Sequence, residues 1–346
     1  MSVSMPRSPL IIPVFIPNQG CPHQCIYCNQ EKITDQSKTP VNASHVKNRL
    51  DQAVRSPRFA SGKEREVAFY GGSFTSLGIK RMTELLEAVK PYIQQGLFSS
   101  IRVSTRPDAI DDERLELMRN LGVSTVELGA QSMDDKVLGL SRRGHTAADT
   151  VGSVEILKGY GFKVGIQLMP GLPGDSRDGF FKTINDVIGL QPDMARLYPA
   201  IVIEGTELAD WYNHKRYQPL TLEEAVLICG EACIRLEQNG IPVIRIGLMS
   251  SPSLLKEGQI IAGPWHSAFG FLVRSDIHLK GIQDLLPGHG EISQIGIRAP
   301  FREIPLVRGY KNQGIRLIEE KTGARIIYVK PDDNVPHGRI GIDLMG

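Results

Sequence analysis

Up to about residue 245, short apolar runs alternate with longer stretches whose apolar positions recur at helical spacing. The runs at residues 10–16, 67–70, 101–104, 126–129, 164–169 and 195–203 read as buried parallel strands. Helical patterns fall at 80–95, 111–121, 147–160 and 222–238, and a further strand at 243–246. This repetition predicts an α/β fold, a parallel sheet covered by helices, closed as a full or partial barrel or left open and doubly wound. In such sheets ligands gather at the carboxyl ends of the strands. Gly71-Gly72-Ser73-Phe74-Thr75, Ser104-Thr105-Arg106-Pro107-Asp108, Gln131-Ser132 and Pro170-Gly171-Leu172-Pro173-Gly174-Asp175 all follow strands, so they are expected to meet on one rim. Beyond Ser250-Ser251-Pro252-Ser253 the alternation stops and an irregular, Gly-rich stretch begins. From Gln294 a compact order of strand, helix, tight loop, helix, strand and strand appears. The expected organisation is a barrel over 1–250, an irregular cap or linker over 251–293, and a small α+β module over 294–346.

Charge changes this picture little. Lys and Arg number 40 against 38 Asp and Glu, so net charge points to neither nucleic acid nor membrane. One basic run stands out: Lys47, Arg49, Arg55, Arg58, Lys63 and Arg65, opposed by Asp51 and Glu64. It reads as a solvated helix face or as part of an RNA-binding surface. No apolar stretch is long enough to span a bilayer, and the N-terminal run is broken by Pro13, so it reads as a strand rather than a signal peptide. A cytoplasmic protein without membrane attachment is expected. Cysteine usage agrees, with three cysteines within eight residues and Cys229 and Cys233 four apart on one apolar helix, where core packing is expected.

The three are Cys21, Cys25 and Cys28, directly after the first strand. Three thiolates on one loop can ligate three irons of a cubane cluster and leave the fourth iron open to a small molecule. Zinc is the rival, but a structural zinc site closes with four ligands, and His23 lies awkwardly between two cysteines. The spacing, with Tyr27 just before the last cysteine, resembles the radical S-adenosylmethionine (SAM) superfamily. That resemblance implies a full or partial parallel (β/α) barrel, a [4Fe–4S] cluster on Cys21, Cys25 and Cys28, and SAM chelating the open iron. It also implies reductive cleavage of SAM to a 5′-deoxyadenosyl radical, with electrons from a donor such as ferredoxin or flavodoxin.

The resemblance extends to further positions. Gly71, Gly72 and Ser73 match the family's glycine-glycine segment near the SAM amino group, with Ser73 where an acidic residue is common. Glu127 and Gln131 match polar positions near the SAM ribose and methionine moieties. Arg143 matches a partner of the SAM carboxylate, a role that Arg142 would also suit. Met169 and Pro170 match the segment beside the adenine. Within the superfamily, residues 69–75, 104–108, 126–146, 169–174 and 196–208 most resemble the radical SAM domain of the Elongator catalytic subunit, which modifies wobble uridines of tRNA. No acetyltransferase domain follows here, so the complete carboxymethyl-forming reaction is not expected of this sequence. A looser likeness links it to oxygen-independent coproporphyrinogen oxidases.

Residues 307–326 resemble the helix-loop-helix of a KH domain, whose Gly-x-x-Gly loop clamps a single-stranded nucleic-acid backbone. Gly309, Tyr310, Lys311 and Asn312 would form the loop, with Asn312 in place of the last glycine, and Ile315, Ile318 and Ile326 would supply the buried side. The leading expectation is a radical SAM enzyme that modifies RNA, with tRNA as its partner. The alternatives are a radical SAM enzyme acting on a small molecule such as a tetrapyrrole, and a non-catalytic, metal-containing RNA-binding protein.

Overall fold

The computed structural model describes residues 9–16, 19, 21–35, 40–60 and 64–345, without the side chains of Arg58 and Ala60. Lys63 and the Arg58 side chain of the basic run therefore lie outside the described residues, as do the first eight residues of the 1–250 segment and Gly346. The chain divides into two compact units, one formed chiefly by residues 5–225 and 235–265, the other by 226–234 and 266–346.

The first unit is built on β1 (Leu10–Phe15), β2 (Arg65–Tyr70), β3 (Ser100–Thr105), β4 (Val123–Gln131), β5 (Lys163–Leu168), β6 (Met194–Leu197) and, after the two-residue β7 (Val202–Ile203), β8 (Val243–Ile246). Seven of these form one sheet in the order β1-β2-β3-β4-β5-β6-β8, with every pairing parallel. One set of alternate side chains, including Val67, Phe69, Val103, Val126, Leu128, Val164 and Ile166, is buried and apolar. The other set carries polar groups that reach one another across the concave side. Tyr70 on β2 meets Arg196 on β6 at 2.6 Å. In a flat sheet these strands would stand about 19 Å apart, four spacings of roughly 4.8 Å. The sheet is therefore curled into a half-barrel.

Two sequence expectations change here. The single helix expected over 80–95 is two, Ile79–Glu87 and Lys90–Gln94, because Pro91 fits only the first turn of a new helix. The expected strand over 195–203 is β6 followed, past Pro199, by β7, which pairs antiparallel with β9 (Ile260–Ala262). In the basic run, Arg49 donates to the Pro13 carbonyl at 3.2 Å, and the Arg65 guanidinium lies 4.4 Å from the centre of the Phe59 ring. Lys47 and Arg55 are left on the solvent side of the helix Ala43–Val54 and its end.

The second unit has a three-stranded sheet in the order β11-β10-β12, with β10 (Gln294–Ala299) parallel to β11 (Arg325–Pro331) and antiparallel to β12 (Gly341–Met345). Ile295, Ile297, Val307, Ile318 and Val329 form its core, and Ile315 and Ile326 pack against them. The stretch read as irregular contains a 13-residue helix, Phe269–Gly281. Its pattern is blurred because Ser275 and His278 are buried on it, the former bonded to the Leu306 carbonyl at 2.8 Å. Cys229 and Cys233 are fully buried, and burial raises the pKa of the Cys229 thiol.

Candidate functional site

The cysteine segment leaves β1 and is pinned at its start by backbone hydrogen bonds. Ile16 N–H donates to Tyr70 O at 2.7 Å, and Ser73 N–H donates to Gln19 O at 3.0 Å. Gly72 makes this approach possible, since a Cβ there would stand 2.0 Å from Gln19 O and 2.6 Å from Ile16 O. The glycine-glycine segment thus serves first to seat the cysteine segment, a use of glycine that sequence alone assigns to a ligand. Farther on, Ile26 is buried, donates to Ser141 O at 3.3 Å and accepts from Leu208 N–H at 2.8 Å. Asn29 then caps the helix Gln30–Thr34.

The loop so held presents Cys21, Cys25, Cys28 and Tyr27 to a cavity of about 580 Å³. Burial raises the thiol pKa of Cys21, and burial with the neighbouring cysteines pushes that of Cys28 up to about 12. Three thiolates in such surroundings require cationic charge beside them. One cation is already present: Arg143 donates through Nη1 to Cys25 Sγ at 3.0 Å and through Nη2 to Gly129 O at 2.5 Å. Arg106 is clamped by Asp108 at 2.8 and 2.9 Å and donates to the Arg143 carbonyl at 2.5 Å. No group of three or more His, Cys, Asp or Glu among the described residues is arranged to hold a single metal ion.

Gly71, Gly72, Ser73, Gln131 and Arg143 line the same cavity. The Ser73 hydroxyl is buried in a chain with Thr105 and Ser76, at 3.0 Å from each. Gln131 holds a left-handed backbone (φ 70°), a strained state for a residue with a side chain. Its Oε1 is buried without a partner, as are Arg143 Nε and the Tyr27 hydroxyl. Three orphaned polar atoms beside one cavity form a donor and acceptor set that an enclosed polar ligand would satisfy. A three-thiol loop with SAM-sized space and unmet hydrogen-bonding groups fits the cluster and cofactor that the sequence resemblance implies.

Glu127, Met169 and Pro170 do not line this cavity. Met169 N–H is spent on Gln131 O and Pro170 O on Ala200 N–H, and the Met169 side chain packs with Val137, Leu172 and Ala200. Glu127, only 1% exposed, sits deeper in the half-barrel at the centre of a polar network. It accepts from Arg102 at 2.8 Å, Arg196 at 2.7 Å, Tyr70 at 3.1 Å and Gln167 at 3.1 Å. Sequence reasoning missed Arg102, Gln167 and Tyr70 here. The available signal was polar residues at alternate positions of otherwise apolar strands, Arg102-x-Ser104 and Arg196-x-Tyr198, which marks a face turned away from the helices.

In the second unit, Gly309–Asn312 joins the helices Ile304–Arg308 and Gln313–Thr322. Lys311 (φ 50°) and Asn312 (φ 61°) are left-handed and exposed. Tyr310 is half-buried and meets the His266 ring edge-on, with centroids 4.8 Å apart. Gly309 faces Gly314, where a Cβ would fall 2.6 Å from Gly314 N.

Comparison with known proteins agrees with this geometry. A solved archaeal Elp3 from Methanocaldococcus infernus, lacking its N-terminus, superposes with a TM-score of 0.61 at 24% identity, covering 79% of this chain and 63% of that one, which bears on the fold. The tRNA uridine(34) acetyltransferase of Methanocaldococcus jannaschii is 39% identical over 133 residues, 38% of this chain and 25% of that protein. The heme chaperone HemW of Bacillus subtilis is 27% identical over 255 residues, 72% of this chain and 66% of that protein. The chain thus spans a quarter to a half of the tRNA acetyltransferases it matches. The profile of the radical SAM superfamily matches residues 15–187, and that of the Radical_SAM C-terminal domain matches 192–278. With half of its length in the first of these and the three-thiol loop at the mouth of the half-barrel, the chain belongs to the radical SAM superfamily.

Proposed function

We propose that this radical SAM enzyme modifies RNA, with tRNA as substrate, using a [4Fe–4S] cluster held by Cys21, Cys25 and Cys28. The observation that carries the cofactor assignment is the convergence of three thiols, Arg143 and the orphaned Gln131 Oε1 on one cavity. When bound, the cluster and SAM together supply a 5′-deoxyadenosyl radical. The protein's own part is positional. Arg143 holds Cys25 by a charge-assisted hydrogen bond and brings cationic charge to the thiolates. Gln131 offers a fixed acceptor and the Arg143 Nε a fixed donor, suited to the amino and carboxylate ends of SAM. Ser73, tied to Thr105 and Ser76, keeps the glycine backbone in place and carries no charge, so the SAM amine relies on neutral acceptors at that point.

The RNA assignment is supported by the tRNA-acting relatives and by the second unit. There the order of strand, helix, exposed loop, helix and parallel strand presents Arg308, Lys311 and Arg316 to solvent. Membership of an enzyme superfamily leaves no place for the non-catalytic alternative. A small-molecule substrate is the second reading, favoured by the longer match to the heme chaperone. Mass spectrometry of tRNA nucleosides from anaerobic cells with and without the gene separates the two. A nucleoside that disappears with the gene supports RNA, and an unchanged nucleoside profile refutes it.

A further inference from the structure

The polar network inside the half-barrel runs from the cysteine cavity inwards. Ser104 and Gln167 line the cavity, Gln167 donates to Ser104 at 3.3 Å and to Glu127, and Glu127 accepts from Arg196. Arg196 also donates to the hydroxyls of Tyr70 at 2.6 Å and Tyr198 at 3.1 Å, yet its Nε is buried with no partner. Its register partner on β8 is Arg245. The two guanidinium-bearing residues are therefore neighbours across one strand pair.

Arg245 is half-buried, and the hydrogen bond found for it runs from Nε to the Gly247 carbonyl at 3.1 Å, with no carboxylate partner among the described residues. The charge balance of the network is uneven. Glu66 is taken up by Arg102 at 2.7 Å, and Glu127 is shared by Arg102 and Arg196. Both carboxylates are thus taken up by Arg102 and Arg196, which leaves the charge of Arg245 unmatched. A half-buried cation without a counter-charge costs solvation free energy that a bound anion restores.

We propose that Arg196 and Arg245 form an anion subsite that takes a phosphate group of the substrate, at the inner end of the polar track that starts at the cysteines. The occupant rests on the reading that the substrate is RNA, where every nucleotide carries a phosphate. Planar guanidinium groups suit phosphate oxygens, and the Tyr198 hydroxyl, which accepts from Arg196 and keeps its own proton to donate, adds a neutral hydrogen bond. In this arrangement the phosphate fixes the nucleotide at a set depth in the half-barrel.

The test titrates the reconstituted full-length protein with uridine 5′-monophosphate, uridine and unfractionated tRNA, comparing the wild type with Arg245→Gln and Arg245→Lys. Cluster absorbance and melting temperature verify that each variant is folded. The subsite predicts monophosphate affinity weakened about tenfold or more by Arg245→Gln, partly recovered in Arg245→Lys, which restores the charge but not the planar fork, and no effect of either change on uridine. Equal monophosphate affinity in the wild type and Arg245→Gln overturns it. Wild-type protein that binds uridine as tightly as the monophosphate, or fails to bind the monophosphate, overturns it too. Failure of the RNA reading looks different: Arg245-dependent binding of the monophosphate with no affinity for tRNA retains the subsite and removes RNA. Binding of tRNA together with monophosphate affinity indifferent to Arg245 does the reverse.

Discussion

The cysteine cavity and the loop at Gly309–Asn312 are both built on glycines that let backbone meet backbone. Gly72 admits the carbonyls of Ile16 and Gln19, and Gly314 admits the Val307 carbonyl, 2.2 Å from where a Cβ would be. What surrounds these contacts differs. Around the cavity, Gln131 Oε1, Arg143 Nε and the Tyr27 hydroxyl are buried and unpaired. Around the loop, Arg308, Lys311 and Asn312 point into solvent, and no side-chain atom of the loop is buried without a partner among the described residues. The first arrangement awaits an enclosed ligand that completes its hydrogen bonds. The second suits a large polyanion that is never fully desolvated. A glycine motif by itself does not tell these apart, whereas unmet hydrogen bonds do.

The comparison breaks most sharply at the thiols. Cys25→Ala removes one of the three proposed cluster ligands and the partner of Arg143, so anaerobically reconstituted protein is expected to lose essentially all of its brown colour and its iron. Next is Gly72→Ala. Its methyl group would overlap two backbone carbonyls that cannot swing aside, with an expected cost of about 3 kcal/mol or more and a matching fall in melting temperature and cluster content. A variant as stable as the wild type would mean that the cysteine segment is not seated by this contact.

At the loop, Arg308→Glu with Lys311→Glu leaves the Tyr310–His266 contact alone. It is expected to weaken RNA binding at low salt about tenfold or more and to lower the salt slope by roughly 1.4, two phosphate contacts at ~0.7 each on a single strand. The cluster absorbance should not change. Unaltered RNA affinity would remove the loop from the RNA surface.

A separate effect is on acid stability. Burial, with Arg143 and Arg106 nearby, lowers the pKa of His145 to about 4. Because the unfolded chain takes up this proton at higher pH than the folded one, stability falls as pH drops from about 6.5 towards 4. The slope is at most about 1.4 kcal/mol per pH unit, and it levels off below that window. His145→Asn should flatten that slope, as read by urea unfolding at a series of pH values. An unchanged slope assigns the acid sensitivity elsewhere.

Much of this was legible in the sequence. The strands announce themselves because a sheet covered by helices demands unbroken apolar runs, and the thiol loop because Cys21, Cys25 and Cys28 follow the first of them. Alternate polar positions on the strands marked an interior face, but the pairing within its network was not legible, since only the curl of the sheet brings Tyr70 and Arg196 together across four strand spacings. Glu127 illustrates the limit. Its position on β4 matches a cofactor-facing residue, yet two arginines claim its carboxylate. The helix Phe269–Gly281 was hidden because Ser275 and His278 occupy buried positions where the pattern requires apolar residues.

The central claim is that the three-thiol cavity cleaves SAM reductively. The most direct test incubates reconstituted protein with SAM and dithionite under strict anaerobiosis and follows 5′-deoxyadenosine by chromatography, with Cys25→Ala in parallel. The account predicts steady formation of 5′-deoxyadenosine by the wild type, four irons and four sulfides per chain, and no product from the variant. A wild-type protein that carries zinc, takes up no iron–sulfur cluster and yields no 5′-deoxyadenosine would contradict it.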